Sequence, residues 1–400
     1  MTTPPDVLDA ADPLAAFRDR FVIDDDLVAY LDGNSLGRLP RATVDRLGAF
    51  VREEWGSRLI RGWDDAWVDL PVTVGDELGE ALLGAAAGRT VIADSTSVNL
   101  YKLLHAAIGA RPDRDEIVID ATNFPTDRYL VESVAAARGL TVRWLRPDLV
   151  DNVTVDALAD VLGARTAVVV LSQVDYRSGT LVDLPAVTRL VHEHGAVIVW
   201  DLCHSVGVMP IALDSADVDF AVGCTYKYLN SGPGAPAFLY VAERHLSAVT
   251  QPIAGWWSAS DLFAMSETYE VAPTIRRMLS GTPSVAGIVA VQEGVRLIAE
   301  AGVDAIRAKS EALTAYTVEL LDDAGLEIVT PREPASRGSH VTVRAPEARR
   351  VADAMIERGV VPDFREPDLI RLGLSPLSTS FAEVEAGVRI LVDCVGGTRR

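Results

Sequence analysis

Residues 196–240 read AVIVWDLCHSVGVMPIALDSADVDFAVGCTYKYLNSGPGAPAFLY, and they contain two short apolar runs, each followed by a charged side chain. The first run, residues 196–200, ends at Asp201; the second, residues 220–223, leads to Tyr226 and Lys227. Runs of this length and composition are typical of strands buried on both faces of a sheet. Ligands of open α/β sheets bind at the carboxyl ends of the strands. We therefore expect Asp201 and Lys227 to lie at a ligand-binding edge.

An amine and a carboxylate at one such edge suit an aldehyde cofactor such as pyridoxal phosphate. The amine holds the aldehyde as a Schiff base, and the carboxylate keeps the ring nitrogen protonated, so that the ring accepts electrons from a substrate carbanion. A partly desolvated lysine loses its proton more easily, which favours this linkage. The alternative is a sheet-edge aspartate and a surface lysine with no shared task. Their spacing alone does not choose between the two.

The rest of the chain predicts an α/β protein with a mainly parallel sheet. Strand-like segments alternate with helical ones, as in βαβ units. The expected strands are residues 90–93, 116–121, 141–144 at an edge, 166–171 and 237–241. Helices are expected at residues 12–19, through the first part of 41–86, from 100 to 109, up to Gly139, at 155–162 and from 184 to 194.

The C-terminal part predicts a smaller α+β unit. Helices at about 285–301 and 305–324 precede strands at 340–344 and 369–372 and helices at 347–358 and 381–395. A single core stops growing at about 250–300 residues, so 400 residues suit two unequal domains. We predict an N-terminal arm and active-site loop over residues 1–40, a large cofactor-binding domain over 41–285 and a small domain over 286–400.

Composition narrows the function classes. Acidic residues outnumber basic ones by 57 to 37, which gives a formal net charge of −20. This balance argues against nucleic-acid or anionic-membrane partners, because both depend on basic patches. At 49% hydrophobic residues the chain can bury a sizeable core, yet no apolar run reaches a membrane-spanning length.

The three cysteines, Cys203, Cys224 and Cys394, are few and widely spaced. They suggest neither a disulfide framework nor a metal site. The N-terminal residues show no signal-peptide pattern. We therefore predict a cytoplasmic protein without a metal.

Two further positions carry polar groups suited to anions. Thr96 and Ser97 follow a strand and begin a helix, where free N–H groups and the positive end of the helix dipole favour a phosphate; a plain N-cap is the alternative. Arg371 stands alone in an apolar strand, where burial is costly without a partner. Its guanidinium fork fits a substrate carboxylate, and a structural salt bridge is the alternative.

Several motifs occur together in an order that resembles the kynureninase family of fold-type I pyridoxal phosphate enzymes. Besides residues 196–240, they are LDGNSLG at 31–37, STSVNL at 95–100, NFPTD at 123–127, GW at 255–256, GTP at 281–283 and the segment around Arg371. The resemblance therefore covers most of the chain. It implies hydrolytic cleavage of L-kynurenine or its 3-hydroxy form to an anthranilate and L-alanine, with pyridoxal 5'-phosphate as the cofactor.

The resemblance also implies roles for individual residues. Lys227, Asp201 and Tyr226 would be catalytic. The cofactor would further contact Thr96, Ser97, Phe124, Asp127, Ser172, His204, Trp256 and Thr282. Trp256 and Thr282 would reach the phosphate from the neighbouring subunit, which implies a homodimer with shared active sites. For His204, a histidine with a purely structural place at a strand end is the alternative.

The substrate, a small amino acid, would contact Arg371 through its carboxylate. Asn34 lies in a loop that approaches the active site in this family, although locally the loop reads as an ordinary turn. Trp63 is a candidate for the aryl pocket, although core packing is the more common place for such an aromatic.

The main rivals share the fold. A cysteine desulfurase or related C–S lyase needs a mobile, exposed cysteine after the lysine, and Cys394 lies in an apolar helical pattern. A hydrolase of another β-acyl amino acid would keep every cofactor residue and change the aryl pocket. A fold-retaining scaffold without activity would bind no cofactor.

Overall fold

The computed structural model describes residues 3–24 and 26–398. Its strands are β1 Ala29–Tyr30, β2 Thr90–Ala93, β3 Glu116–Asp120, β4 Thr141–Leu145, β5 Thr166–Ser172, β6 Val197–Asp201, β7 Phe220–Gly223, β8 Ala237–Val241, β9 Glu327–Ile328, β10 His340–Arg344, β11 Val360–Val361, β12 Asp363–Arg365 and β13 Leu369–Gly373. Its α-helices are α1 Pro5–Ala11, α2 Arg41–Ala49, α3 Gly56–Arg58, α4 Leu70–Leu78, α5 Thr96–Gly109, α6 Pro125–Arg138, α7 Val155–Ala159, α8 Leu184–Glu193, α9 Glu243–Leu246, α10 Val285–Ala301, α11 Val303–Asp323, α12 Ala348–Glu357 and α13 Phe381–Thr398.

Seven strands form one large sheet in the order β2-β8-β7-β6-β5-β3-β4. The pairs from β7 through β4 are all parallel, and only β8 runs against its two neighbours. The chain order alternates these strands with helices, as βαβ units require. The prediction of a mainly parallel α/β sheet is confirmed, including the edge position of residues 141–144.

Both faces of the central strands are buried, which explains their continuous apolar runs. In β6, Ile198 and Trp200 pack into one hydrophobic cluster, whereas Val197 and Val199 pack into the cluster on the other face. All four side chains are fully buried. A strand that is covered on both sides has no solvent-exposed face. Its sequence therefore lacks the alternation of polar and apolar residues that is typical of a half-exposed strand.

The C-terminal strands form a separate four-stranded antiparallel sheet in the order β12-β13-β10-β9. The N-terminal arm joins this part of the chain, since β1 pairs with β11 and Leu31 packs into the same cluster as Val341 and Leu391. Asp9 on α1 accepts hydrogen bonds from the first two N–H groups of α13. The domain limits given above remain a prediction.

One helix prediction is wrong. Residues 12–19 do not form an α-helix: α1 ends at Ala11, and a 3₁₀ turn follows at Ala15–Arg20. Pro13 lacks an N–H and disfavours helical geometry in the residue before it, so no α-helix runs through this segment. The prediction of a helix through the first part of residues 41–86 is confirmed by α2, and the backbone later takes a positive φ of 52° at Leu59, between α3 and α4.

No helix in the described part of the chain combines the length and the apolar character that a membrane crossing needs.

Asp219, a buried carboxylate just before β7, connects this segment to neighbouring elements through hydrogen bonds. Its two oxygens accept hydrogen bonds from Arg244 (2.6 Å), His245 (2.7 Å), His192 (2.8 Å) and the Ile198 N–H (2.9 Å). Burial alone would raise the pKa of Asp219, but the hydrogen bonds from the two histidines outweigh burial and hold the pKa below its usual range. The network therefore stabilises the fold while Asp219 is charged.

We expect Asp219→Asn to lower the free energy of unfolding by about 3 kcal/mol near neutral pH, because three cationic or polar partners lose their anion. A depressed pKa contributes stability above the unfolded value of about 4, and that stability is lost as the pH falls towards the folded value. The difference between the two proteins should therefore shrink below about pH 4. Urea unfolding at a series of pH values measures it. The control is Asp217→Asn, since Asp217 also binds Arg244 but is exposed; an equal loss in both variants would contradict the account.

Candidate active site

A cavity of about 170 Å³ lies at the carboxyl ends of β5 and β6 and beyond the end of β7. Ser172 and Asp201 are opposite each other in the register of β5 and β6, and both face this edge. The cavity is lined by Thr96, Ser97, Phe124, Thr126, Asp127, Ser172, Tyr176, Asp201, Cys203, His204, Tyr226 and Lys227. Nine residues that the sequence singled out thus lie around one cavity.

Lys227 differs from the other two lysines of the chain. Lys102 and Lys309 are buried in ion pairs of 2.6 Å with Asp94 and Asp12. The Lys227 amine forms no ion pair with a carboxylate in the described residues; its Nζ lies 3.3 Å from Nε2 of His204. An amine that is not held by an anion is available for covalent chemistry.

Two carboxylates meet opposite this amine. Asp201 accepts a hydrogen bond of 2.6 Å from the Cys203 N–H. Asp127 is buried beside it, and burial, together with the negative charge of Asp201, raises the pKa of Asp127 well above its usual value. Asp127 therefore holds a proton more firmly than an ordinary aspartate does.

The amino end of α5 forms the third part of the site. Ser95 caps the helix by accepting a hydrogen bond from the Val98 N–H (3.4 Å). Thr96 and Ser97 follow in the first turn, where backbone N–H groups have no partner within the helix. The Thr96 Oγ1 lies 4.0 Å from the Cys203 Sγ, so this helix end faces the ends of β6 and β7. Such a helix end favours a phosphate or another anion.

An exposed aromatic ring covers one side of the cavity. Phe124 is 38% exposed, and its ring meets Tyr176 edge-on at 5.3 Å. The Asn123 side chain accepts hydrogen bonds from the Phe124 N–H (2.7 Å) and the Ser172 hydroxyl (2.9 Å) and so fixes this loop. The site therefore has a flat apolar wall between its anion-binding end and its amine.

The histidine at the site, His204, is buried and has no carboxylate partner among the residues that the structure describes. Burial, the charges of Lys227 and Arg371 and the neighbouring ring of His340 lower the pKa of His204 well below its usual value. A neutral imidazole accepts a hydrogen bond through one ring nitrogen and donates one through the other. His204 therefore lies beside the amine of Lys227 as a neutral partner.

Arg371 is fully buried on β13, and its guanidinium already has several hydrogen-bond partners within the chain. Its guanidinium donates to Asp363 and to the Tyr176 carbonyl, and to Ser35 at 3.2 Å. Ser35 belongs to the loop of residues 31–37. The loop also reaches the lysine segment, since the Gly37 N–H donates to the Tyr226 carbonyl (2.8 Å). Arg371 therefore has the salt bridge that was its alternative, and it does not line the cavity; its assignment to the substrate carboxylate remains a prediction.

Asn34 in the same loop is fully buried, and neither end of its amide has a partner among the described residues. It packs against Gly373, where any side chain on the glycine would collide with it. Its assignment to the substrate remains a prediction.

Five predicted residues do not line the cavity of the single chain: Asn34 and Arg371, described above, and Trp63, Trp256 and Thr282. Trp63 packs against Trp67 and Trp257 at ring distances of 5.3 and 5.2 Å. Trp256 is 38% exposed on the surface, and Thr282 lines a separate surface cleft together with Ser95. Within one chain, Trp63 has the core position that was its alternative.

The sequence interpretation missed Tyr176, Thr126 and Cys203 as cavity residues. The position of Tyr176, four residues after the end of β5, was the signal that could have identified it, because loops at this edge line the site. Cys203 stands between Asp201 and His204, which were both identified, so its neighbours pointed to it.

Comparison with known proteins places this geometry in a class. The model of the aminotransferase class-V family matches residues 76–361. Among solved structures, apo cysteine desulfurase from Thermococcus onnurineus NA1 superposes with a TM-score of 0.84 at 18% identity, covering 96% of this chain and 98% of that chain. A cysteine desulfurase from Escherichia coli gives a TM-score of 0.82 at 18% identity, covering 96% and 98%. These likenesses show a shared fold.

Sequence relatives are more specific. The kynureninase of Pseudomonas fluorescens is 43% identical over 404 residues, which cover 98% of this chain and 95% of the relative. The kynureninase of Burkholderia pseudomallei (strain 1106a) is 43% identical over 397 residues, which cover 96% and 93%. The chain therefore belongs to the kynureninase family, within the aminotransferase class-V fold. The family resemblance noted in the sequence is confirmed.

Proposed function

We propose that this protein is a pyridoxal phosphate-dependent hydrolase that cleaves L-kynurenine, its 3-hydroxy form or both to the corresponding anthranilate and L-alanine. Identity of 43% to kynureninases over nearly the whole chain supports this substrate class. The observation that carries the proposal is the Lys227 amine, which faces the cavity free of any ion pair within the described residues and shares it with the Asp201 carboxylate.

The residues present fit pyridoxal phosphate. Asp201 would hold the protonated ring nitrogen, Phe124 would stack on the ring, and Ser172 would bond its polar edge. Thr96, Ser97 and Tyr226 would bind the phosphate, in line with the free N–H groups at the start of α5. When bound, the cofactor supplies an electron sink that stabilises a carbanion of the substrate.

The chain's own groups would then move the protons. Lys227 would take the α-proton of the substrate at its Nζ, with neutral His204 accepting a hydrogen bond from that amine. Burial raises the pKa of the Tyr226 hydroxyl, so Tyr226 remains a hydrogen-bond donor at neutral pH. Water would add to the γ-carbonyl, and loss of a proton from the hydrate would break the Cβ–Cγ bond and release the aryl acid. The electron pair left on Cβ would take up a proton to give the methyl group of alanine.

The rival C–S lyase activity has less support. A desulfurase of this fold needs an exposed nucleophilic thiol. Cys203 and Cys224 are buried, and Cys394 is half-buried on α13 with Arg358 beside its sulfur (3.8 Å). Incubation with L-cysteine, L-kynurenine and 3-hydroxy-L-kynurenine in parallel tests the choice. We expect alanine from one or both kynurenines, with the ratio of their kcat/KM values giving the preference; sulfide as the only product would overturn the proposal.

Arg371 would bind the α-carboxylate of the substrate. We expect Arg371→Gln to raise KM for L-kynurenine by roughly 10- to 100-fold, because a charge-assisted bond is worth about 1.5–3 kcal/mol. The control is Arg365→Gln: Arg365 pairs with the same Asp363 at 2.9 Å but is partly exposed. Steady-state kinetics of both variants measure the effect. Equal KM values for the two variants would assign Arg371 a structural salt bridge only.

A homodimer with shared sites would bring Trp256 and Thr282 to the cofactor phosphate of the partner subunit. Exposed apolar side chains near Trp256 support a covered surface here: Phe263 is 56% exposed and Met265 70%. Monomeric proteins rarely expose such patches without a use. We also place the protein in the cytoplasm, in agreement with the few, unpaired cysteines.

Mixing two inactive variants tests the shared site. Lys227→Met and Thr282→Ala remove groups that would meet in one active site only when they come from different subunits. After subunit exchange we expect about a quarter of wild-type activity, because half of the dimers are mixed and each has one intact site. Each variant mixed with itself is the control. Activity that stays at the sum of the two single variants would place Thr282 outside the shared site.

A further inference from the structure

His340 is a buried polar side chain that the functions above do not use. It begins β10, where it is opposite Gly373, two residues from Arg371. The ring is fully buried, and both of its nitrogens lack a hydrogen-bond partner in the described part of the chain. An unpaired buried polar atom is costly, so such a ring needs an explanation.

Its neighbours lead to the catalytic amine. The centre of the His340 ring lies 5.7 Å from that of His204. His204 Nε2 lies in turn 3.3 Å from Lys227 Nζ. The three side chains are therefore neighbours in the order Lys227, His204 and His340. Lys227 and His204 line the cavity, and His340 lies outside its lining. Gly179, with a φ of +80°, passes so close to His340 that any side chain there would press on the ring.

The charges around His340 are of one sign. Burial and the positive charges of Arg371, Lys227 and Arg365 lower the pKa of His340 well below its usual value. Asp363, the carboxylate on β12, is already paired with both arginines. His340 is therefore neutral at physiological pH, with one nitrogen able to donate and the other able to accept.

Structural histidines in this chain look different. His192 and His245 are held by Asp219 at 2.8 and 2.7 Å. A histidine with only a structural role would have such a hydrogen-bond partner. Without one, an apolar side chain would fill the same place at a lower cost. Two adjacent neutral histidines without a carboxylate, next to a lysine, instead suit the handling of a proton.

We propose that His340 is a positioning residue for Lys227 that acts through His204: it binds a buried water that accepts a hydrogen bond from His204 Nδ1–H, so that the lone pair of Nε2 faces the lysine amine. Water is the usual partner of buried polar groups that lack one in the protein. This arrangement stabilises the protonated form of the linkage between Lys227 and the cofactor, since a neutral acceptor lies at the charged nitrogen.

The pH dependence of the visible absorption of the bound cofactor tests the proposal in the holoenzyme without substrate. We expect His340→Phe to lower the pH of the spectral transition by about one unit. This shift corresponds to a roughly tenfold lower proton affinity of the linkage between Lys227 and the cofactor. His340→Gln, which can still bind a water, should keep the transition near the wild-type pH. The control is His192→Gln, because His192 has a structural role. This substitution should not change the pH of the spectral transition. An unchanged transition in His340→Phe, or an equal shift in either His340→Gln or His192→Gln, overturns the proposal.

A measurement on the wild-type holoenzyme avoids any loss of fold in the variants. The chain has six histidines, so their ring nitrogens can be resolved by ¹⁵N NMR. We expect His204 to carry its proton on Nδ1 and to be neutral at about pH 7. A proton on Nε2, or on both nitrogens, contradicts the proposal. The inference rests on the cofactor binding proposed above but not on the substrate, so failure to cleave kynurenine would leave both measurements interpretable.

Discussion

Lys227→Met is expected to lower kcat for kynurenine cleavage by at least about 10³-fold, because the variant loses both the covalent anchor of the cofactor and the base that moves the α-proton. The other two lysines cannot replace it, since Lys102 and Lys309 are buried in ion pairs with Asp94 and Asp12. Anthranilate fluorescence in a steady-state assay measures the loss. The visible absorption of the bound cofactor should change in parallel.

Borohydride reduction provides the control for this prediction. Reduction fixes the cofactor to whichever amine holds it, and a chain with three lysines makes the assignment simple. Peptide mapping should find the added mass on the peptide that contains Lys227 and on neither of the others. A label on Lys102 or Lys309, or a Lys227→Met protein that retains activity, would contradict the assignment.

Asp201→Asn is expected to lower kcat by about 10²–10³-fold, because an amide cannot stabilise a protonated cofactor ring in a site shielded from water. The neighbouring Asp127 should not compensate, since burial, the largest cause of its raised pKa, remains when the charge of Asp201 is removed. Asp201→Glu should retain more activity than Asp201→Asn, because it keeps the charge but displaces it. Steady-state kinetics and the cofactor spectrum of both variants provide the measurement.

Asp120→Asn is the matched control for Asp201. Asp120 is also a buried aspartate at the carboxyl end of a parallel strand of the same sheet, and its side chain bonds Thr122 (2.9 Å) outside the cavity lining. We expect its kcat to remain within about threefold of wild type, as for substitutions that touch no reacting group. Equal losses at Asp120 and Asp201 would mean that the sheet edge, and not the position opposite the cofactor ring, accounts for the effect.

The parts of the site that the sequence predicted are those set by strand ends. The apolar runs before Asp201 and Lys227 are buried on both faces of the sheet, and this burial is what made them recognisable. Because parallel strands end at the same edge, side chains just after them had to come together. The start of α5 at Thr96 and Ser97 followed from equally local rules of capping.

The parts that could not be predicted depend on contacts between distant segments. The Asp363–Arg371 pair, the hydrogen bond from Gly37 to Tyr226 and the place of His340 behind His204 each join regions whose relative position no local pattern determines. Trp63 shows the same limit, since its spacing suited either a pocket or a core. The wrong prediction of a helix at residues 12–19 in the N-terminal arm has a local cause instead, since Pro13 disfavours an α-helix there.

The most direct test of the account is a product balance with purified protein, pyridoxal phosphate and L-kynurenine, with 3-hydroxy-L-kynurenine in parallel. Alanine by amino-acid analysis and the anthranilate by fluorescence would be followed in the same samples. The account predicts equimolar alanine and anthranilate from at least one of the two substrates, and neither product with Lys227→Met. Cofactor bound to Lys227 with no alanine from either substrate would contradict it.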